Sequence, residues 1–259
     1  MNKYSLSVIM PALDEEDNIE DSIRATLRAM HKYKIDGEII IINDGSTDKT
    51  LEIVKKIIQK NTQIKLINHK KPEGIGYSFF RGVKESIKDV VVMIPGDNEN
   101  IPEGTLAFFN LLDGVDIIIP FIYNIEVRHK GRRIISAIYR FIINISFGTN
   151  LNYTNGTVFY RRCILDDIKL QSFGFFYQTE LLMKLIRKGY LFSEVPNFLS
   201  LRNNGQSKAT ALSSLFRLTV SYLKLFFEIH MKRIESDKDY RKLNPRSISY
   251  KILEKYNKW

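Results

Sequence analysis

Asp97 and Glu99 stand two residues apart in VVVMIPGDNENIPEG (residues 90–104), where an apolar run ends in a Pro-Gly turn. Carboxylates this close can grip a hard divalent cation, which completes its shell with phosphate oxygens and water. Two further polar stretches follow apolar runs: PALDEE (11–16) and NDGSTD (43–48). In the first, Glu15 lies just past the run. In the second, Asp44 can accept hydrogen bonds from N–H groups, and Gly45 permits a tight turn. Ser46 and Asp48 are ready helix caps. At this level a plainer reading, polar turns and caps without chemistry, stands beside the functional one.

The flanking segments decide whether these stretches can meet. LSVIMPA (6–12) reads as a short buried strand. Ile19, Ile23, Leu27 and Met30 then recur on one helical face, with acids in the first turn. GEIIIIND, IKLINHK and DVVVMIP read as three more strands, alternating with helical DKTLEIVKKIIQKN and GIGYSFFRGVKESIK. Continuous apolar strands alternating with helices predict an α/β fold, a mostly parallel sheet covered on both faces. Ligands bind such sheets beyond the carboxyl ends of the strands. All three polar stretches follow strand ends and are therefore predicted to converge on one crevice. Further on, TLAFFNLL, RRIISAIYRFIINISFG and TELLMKLIRKGY read as helices, and VDIIIPFI and NGTVFYRR as strands.

Composition sets outer bounds. The 259 residues suffice for one large domain or two small ones, and a hydrophobic content of 44% supports a real core. A net charge of +10 suggests an anionic partner. Basic residues are spread out and carry no nucleic-acid motif, so a nucleic-acid role ranks last. Cys163 is the one cysteine, which fits a reducing, cytoplasmic setting, and it reads as a small core residue. The four histidines show no metal-ligand spacing. The opening residues read as a strand rather than a signal peptide, and no apolar run reaches the roughly 20 residues that span a bilayer.

Five stretches together carry a resemblance: SVIMPALDEEDNI, IIINDGSTDKT, PGDNENIPE, FFYQTELLMKLIRKGYLFSEVP and RNNGQSK, within about residues 5–208. The chain resembles the family 2 glycosyltransferases of the GT-A fold. Within them it is most similar to the dolichol-phosphate mannose synthase group, which moves a sugar from a nucleotide to a polyprenyl phosphate. The resemblance implies that Pro11, Ala12, Leu13, Glu15 and Asp44 border the nucleotide of a GDP- or UDP-linked sugar, with Gly74 and Gly76 letting the backbone approach it. It implies catalytic roles for Asp97 and Glu180, Glu180 as base or as an orienting group. It also implies Mg2+ or Mn2+ as cofactor. The branch carries Asp-x-Asp-x-Gln where this chain has Pro95-Gly96-Asp97-Asn98-Glu99. One acid is lost and another gained, so the metal ligands read as Asp97 and Glu99, which would share a face if the segment were extended. Arg128, Arg132, Arg133, Arg202 and Lys208 read as phosphate or acceptor contacts. The branch has an Arg just after DIIIPF, where Phe121 and Ile122 stand here, and Asn152 replaces a frequent Asp.

Three segments follow from this reading: a GT-A domain over 1–208, an amphipathic helix over 209–232, and a basic polar tail over 233–259. Leu212, Leu215, Phe216, Tyr222, Leu223, Phe226 and Phe227 are assigned to one side of that helix, and Arg217, Ser221, Lys224 and Glu228 to the other. Such a helix packs on a domain or partner, leaving a homodimer open, or lies in a bilayer interface. With a lipid phosphate acceptor, the second predicts a peripheral enzyme on an anionic cytoplasmic membrane surface. Two rivals remain: a soluble transferase of surface-polysaccharide assembly with a sugar hydroxyl acceptor, and a non-catalytic nucleotide-sugar binding protein.

Overall fold

A computed structural model describes residues 2–198, 212–231 and 243–256. Seven strands form one sheet: β1 (Leu6–Ala12), β2 (Gly37–Asp44), β3 (Ile64–His69), β4 (Val90–Met93), β5 (Ile117–Ile122), β6 (Phe159–Arg161) and β7 (Phe192–Asn197). Their order is β3-β2-β1-β4-β6-β5-β7. β6 alone runs against its neighbours β4 and β5; the other pairings are parallel.

Every residue of β1, β2 and β4 is buried. Alternate residues feed two cores, because successive side chains point to opposite faces. Ile9, Ile40, Ile42, Val91 and Met93 join one, while Val8, Met10, Ile39, Ile41 and Val92 join the other. Helices α1 (Ile19–Lys32) and α2 (Thr50–Ile58) cover the second face through Ile19, Ile23, Met30 and Val54. Helices α3 (Ile75–Glu85), α5 (Lys130–Phe147), α6 (Tyr177–Lys188) and α7 (Leu212–Met231) bring Phe79, Ile143, Leu181 and Leu225 to the first. The short α4 (Pro102–Leu106) completes the second face through Leu106.

This connectivity places the strand-order reversal between β1 and β4. The loops that leave β1 and β4 there border a space beyond the carboxyl ends, with α1 and α4 both on the second face. PALDEE leaves β1 there and PGDNEN leaves β4.

Two expectations about the C-terminal part change. Helix α7 seats only part of the face assigned above. Leu225 and Ile229 are buried in the core and Leu218 and Tyr222 pack against it, whereas Leu223 and Phe227 are exposed. Glu228 turns inward to Lys184 Nζ (3.0 Å) and accepts from Gln171 Nε2 (2.8 Å). Helix α7 thus has apolar residues on more than one side, so spacing alone could not choose the packed one.

The stretch read as a basic polar tail contains α8 (Ile248–Tyr256). Buried Asp116 accepts from the backbone N–H groups of Ile248 (2.8 Å) and Ser249 (2.9 Å), capping that helix. Arg161 Nε lies 3.1 Å from the same carboxylate, so the buried charge is paired. Two serines and an isoleucine of the supposed tail (Ser247, Ile248 and Ser249) are buried as a result.

Candidate active site

The three polar stretches meet, and they are fastened by hydrogen bonds. The Gly96 N–H donates to the Pro11 carbonyl at 3.0 Å, laying the turn after β4 against the end of β1. A Cβ on Gly96 would come within 2.6 Å of the Ile19 side chain, so glycine lets the turn come this close. The loops after β1 and β2 interlock. Ser46 Oγ accepts from the Asp14 N–H (3.0 Å), and Asp14 Oδ1 accepts from the Thr47 N–H (2.8 Å). Thr50 Oγ1 accepts from the Glu15 N–H at 2.8 Å, and Asp48 Oδ2 from the Glu16 N–H at 3.0 Å. Asp14 has φ 56, a left-handed conformation that Asp tolerates better than most residues. Asp48 Oδ1 caps α2 through the Thr50 N–H (2.9 Å), while Ser46 serves the neighbouring loop instead.

Within this frame Pro11 and Ala12 are buried at the end of β1, and Leu13 is half-buried. Glu15 is also half-buried and accepts from Asn18 Nδ2 at 2.9 Å.

Asp44 is more occupied than a free base-reading carboxylate. Oδ1 meets His69 Nδ1 (2.8 Å) and the Glu73 N–H (3.0 Å), and Oδ2 accepts from the Gly74 N–H (3.0 Å). Burial works against its charge, but the bonds from His69, Glu73 and Gly74 outweigh that and hold the carboxyl below its ordinary range. Asp44 therefore ties β3 and the start of α3 to the end of β2. His69 had no role in the sequence reading. The available signal was its place: it closes β3 in register with Asp44 closing β2.

The glycines of PEGIG also serve the protein. Gly74, at φ 101, precedes α3. The Gly76 N–H donates to the Phe173 carbonyl at 2.9 Å, and a Cβ there would come within 2.7 Å of that oxygen. Gly76 thus fits α3 against residues 173–177, a packing reason for glycine at this position.

Asp97 and Glu99 lie at the strand-order reversal, both half-buried. The extended geometry assumed for them does not hold. Asn98 has φ 56, and the Glu99 N–H donates to Asp97 Oδ1 at 3.1 Å, so the segment is a turn. Among the described residues, no three of His, Cys, Asp and Glu gather closely enough to hold a metal by themselves. The donor set suits a hard cation that draws its remaining ligands from a diphosphate and water.

Glu180 is held tightly by the fold. It is buried in the first turn of α6. Its carboxylate accepts from the N–H groups of Gln171 (2.8 Å) and Ser172 (2.9 Å) and pairs with Lys184 Nζ (2.8 Å). A general base must reach the acceptor's proton. In the structure Glu180 fixes the 171–172 segment.

Among the basic candidates, Arg128 Nη2 lies 3.2 Å from Tyr153 Oη, with the guanidinium over that ring. This joins the segment after β5 to the loop holding Asn152. Arg132 is half-buried at the start of α5 and Arg133 is exposed. Arg202 and Lys208 lie outside the described residues. Beneath the 152–156 loop, Tyr139 Oη contacts Thr179 Oγ1 at 2.7 Å, and burial pushes its phenol up to about 12.

The model of the glycosyl transferase family 2 matches residues 7–168, more than half the chain and all three loops. The chain belongs to this family. It is 36% identical over 98 residues to an uncharacterized glycosyltransferase of Synechocystis, covering 38% of this chain and 31% of that one. It is 26% identical over 239 residues to dolichol-phosphate mannosyltransferase of Pyrococcus furiosus, covering 88% of this chain and 66% of that one. The matches thus span less than two thirds of either relative. Among solved structures, mannosyl-3-phosphoglycerate synthase of Rubrobacter xylanophilus superposes with TM-score 0.68 at 13% identity, over 91% of this chain and 77% of that one. Glucosyl-3-phosphoglycerate synthase of Mycobacterium tuberculosis, in complex with Mn2+, UDP-glucose and phosphoglyceric acid, gives TM-score 0.59 at 19% identity, over 86% and 80%. These likenesses establish the family 2 member as a GT-A fold.

Proposed function

We propose that this family 2 chain transfers a sugar from a nucleotide-sugar donor to a polyprenyl phosphate, with inversion at the anomeric carbon. The acceptor oxygen forms its bond to that carbon from the back as the bond to the diphosphate oxygen breaks. The nucleoside diphosphate leaves with the electron pair.

The observation that carries the reading is the state of the two carboxylates. Asp97 stands half-buried where the loops after β1 and β4 meet, while Glu180 is consumed inside the fold. A sugar hydroxyl acceptor needs a base to take its proton. A phosphate monoester is already ionised near neutral pH and needs none. The commitment of Glu180 therefore favours the phosphate acceptor over the hydroxyl rival. The long match to a dolichol-phosphate mannosyltransferase supports the same class.

Pro11, Ala12, Leu13 and Glu15 border the nucleotide in this reading, and the interlocked loops hold that border rigid before the donor arrives. Asp97, assisted by Glu99, would hold Mg2+ or Mn2+. When bound, such an ion neutralises charge developing on the leaving diphosphate. Arg128, steadied by Tyr153, is the basic group offered to the acceptor phosphate, with Arg202 and Lys208 as further candidates.

The test is transfer from radiolabelled UDP- and GDP-sugars, with Mn2+, to a short-chain polyprenyl phosphate and to free sugars. Label in the lipid phosphate alone is the expected result. Transfer only to sugar hydroxyls, or donor binding without any transfer, would overturn the reading.

A further inference from the structure

We propose that Thr179 is a positioning residue: from the first turn of α6 it holds the loop 152–156, and with it Tyr153 and Arg128, in the setting that receives the acceptor. The proposal rests on the reading above that Arg128 is offered to the acceptor phosphate.

The loop lies on the crevice side of the sheet. β6 runs against β4 and β5, so β5 runs with β4, and β7 runs with β5. The carboxyl ends of β5 and β7 therefore share an edge with PGDNEN. The loop presses on β5 toward that end, where a Cβ on Gly156 would come within 2.8 Å of the Pro120 carbonyl oxygen. Separate elements hold its two ends. Glu194 of β7 accepts from the Asn152 N–H (2.7 Å) and from Asn152 Nδ2 (3.0 Å). Gln178 Nε2 of α6 donates to the Gly156 carbonyl.

Thr179 is the junction between these anchors. Its Oγ1 lies 2.7 Å from Tyr139 Oη, 3.1 Å from Thr154 Oγ1 and 3.3 Å from Asn155 Oδ1. A hydroxyl has one hydrogen and two lone pairs, so three partners take its whole capacity. Thr179 and Thr154 are fully buried, where water does not compete for these bonds. Burial also pushes the Tyr139 phenol up to about 12, which keeps it protonated at working pH. A buried helical position would ordinarily take an apolar side chain. The hydroxyl here is explained by what it holds. Tyr153, between the anchored residues, meets Arg128. In a loosened loop only the fraction with this pair in place binds the acceptor, and apparent affinity falls by that fraction.

The test uses the full chain with Thr179→Val, which keeps the shape and removes the hydroxyl, and Thr179→Ser, which restores it. Hydrogen exchange of the free protein reads the loop directly. Amides of 152–156 should exchange about tenfold faster in Thr179→Val and near the wild-type rate in Thr179→Ser, with those of β1 and β2 unchanged. Transfer kinetics with a short-chain polyprenyl phosphate and Mn2+ read the consequence. The acceptor KM should rise about tenfold in Thr179→Val, with donor KM and kcat within about threefold of wild type. Tyr139→Phe removes one partner from the other side and should move both readouts the same way by less, which keeps the test open if Thr179→Val folds poorly. Unchanged exchange of 152–156 in these variants, a loosened loop with an unchanged acceptor KM, or an equal rise in donor and acceptor KM would overturn the proposal. Failure of the acceptor reading looks different: the wild type itself would transfer nothing to polyprenyl phosphate. Exchange needs no acceptor and would still decide whether Thr179 holds the loop.

Discussion

The end of β4 and the start of α6 each present a carboxylate that sequence alone would hand to catalysis. Asp97 stands in a turn at the strand-order reversal and is half-buried. Glu180 sits inside, paired with Lys184 and bonded to two backbone N–H groups. In the proposed reading, residue type does not separate chemistry from architecture: the surroundings of each carboxylate do. Glu180 is bonded deep inside the fold, whereas Asp97 lies half-buried where a ligand beyond the strand ends would sit.

Exchanging the charges should therefore produce opposite phenotypes. The largest effect is expected for Asp97→Asn, which should lower kcat/KM for transfer by about 10³-fold, roughly 4 kcal/mol, with little change in melting temperature. Glu180→Ala should do the reverse. It strands two N–H groups and breaks a buried pair, so chemical denaturation should show a loss of about 3 kcal/mol. Donor affinity of the folded fraction should stay near wild type. A Glu180 variant that folds normally yet fails in transfer would erase the distinction.

Asp44 sharpens the comparison, because it lies near Asp97 in role but resembles Glu180 in its bonding. Asp44→Asn should cost about 2 kcal/mol at neutral pH. The folded-state pKa of Asp44 lies below its ordinary value, so its contribution is present above the unfolded pKa of about 4 and is lost as pH falls through the folded value. Denaturant unfolding across acid pH should thus show a shallower acid loss in the Asn variant than in the wild type. Glu99→Gln carries the smallest effect. Raising the Mn2+ needed for half-maximal activity by about tenfold would match its place as the secondary ligand.

Much of the sheet was legible because β1, β2 and β4 are buried on both faces and therefore read as unbroken apolar runs. The crossing helices followed from Ile19, Ile23, Leu27 and Met30. The convergence of the three loops followed from strand ends alone. Side-chain commitments were not legible. Nothing local distinguishes Glu180 from a base, since its partners Gln171 and Ser172 reach it through tertiary packing. Gly76 reads as a ligand glycine until Phe173 is seen against it. Helix α7 carries apolar residues on more than one side, so periodicity could not name the packed face. The clasp on α8 depends on Asp116, more than a hundred residues earlier in the chain.

The most direct test of the central claim is calorimetry of donor binding with Mn2+ and with excess chelator, in the wild type and in Asp97→Asn. The account predicts that Mn2+ tightens donor binding to the wild type by tenfold or more, about 1.4 kcal/mol, and that Asp97→Asn removes this gain while Glu180→Gln retains it. Equal donor affinity with Mn2+ and with chelator in the wild type, or a full Mn2+ gain in Asp97→Asn, would contradict it.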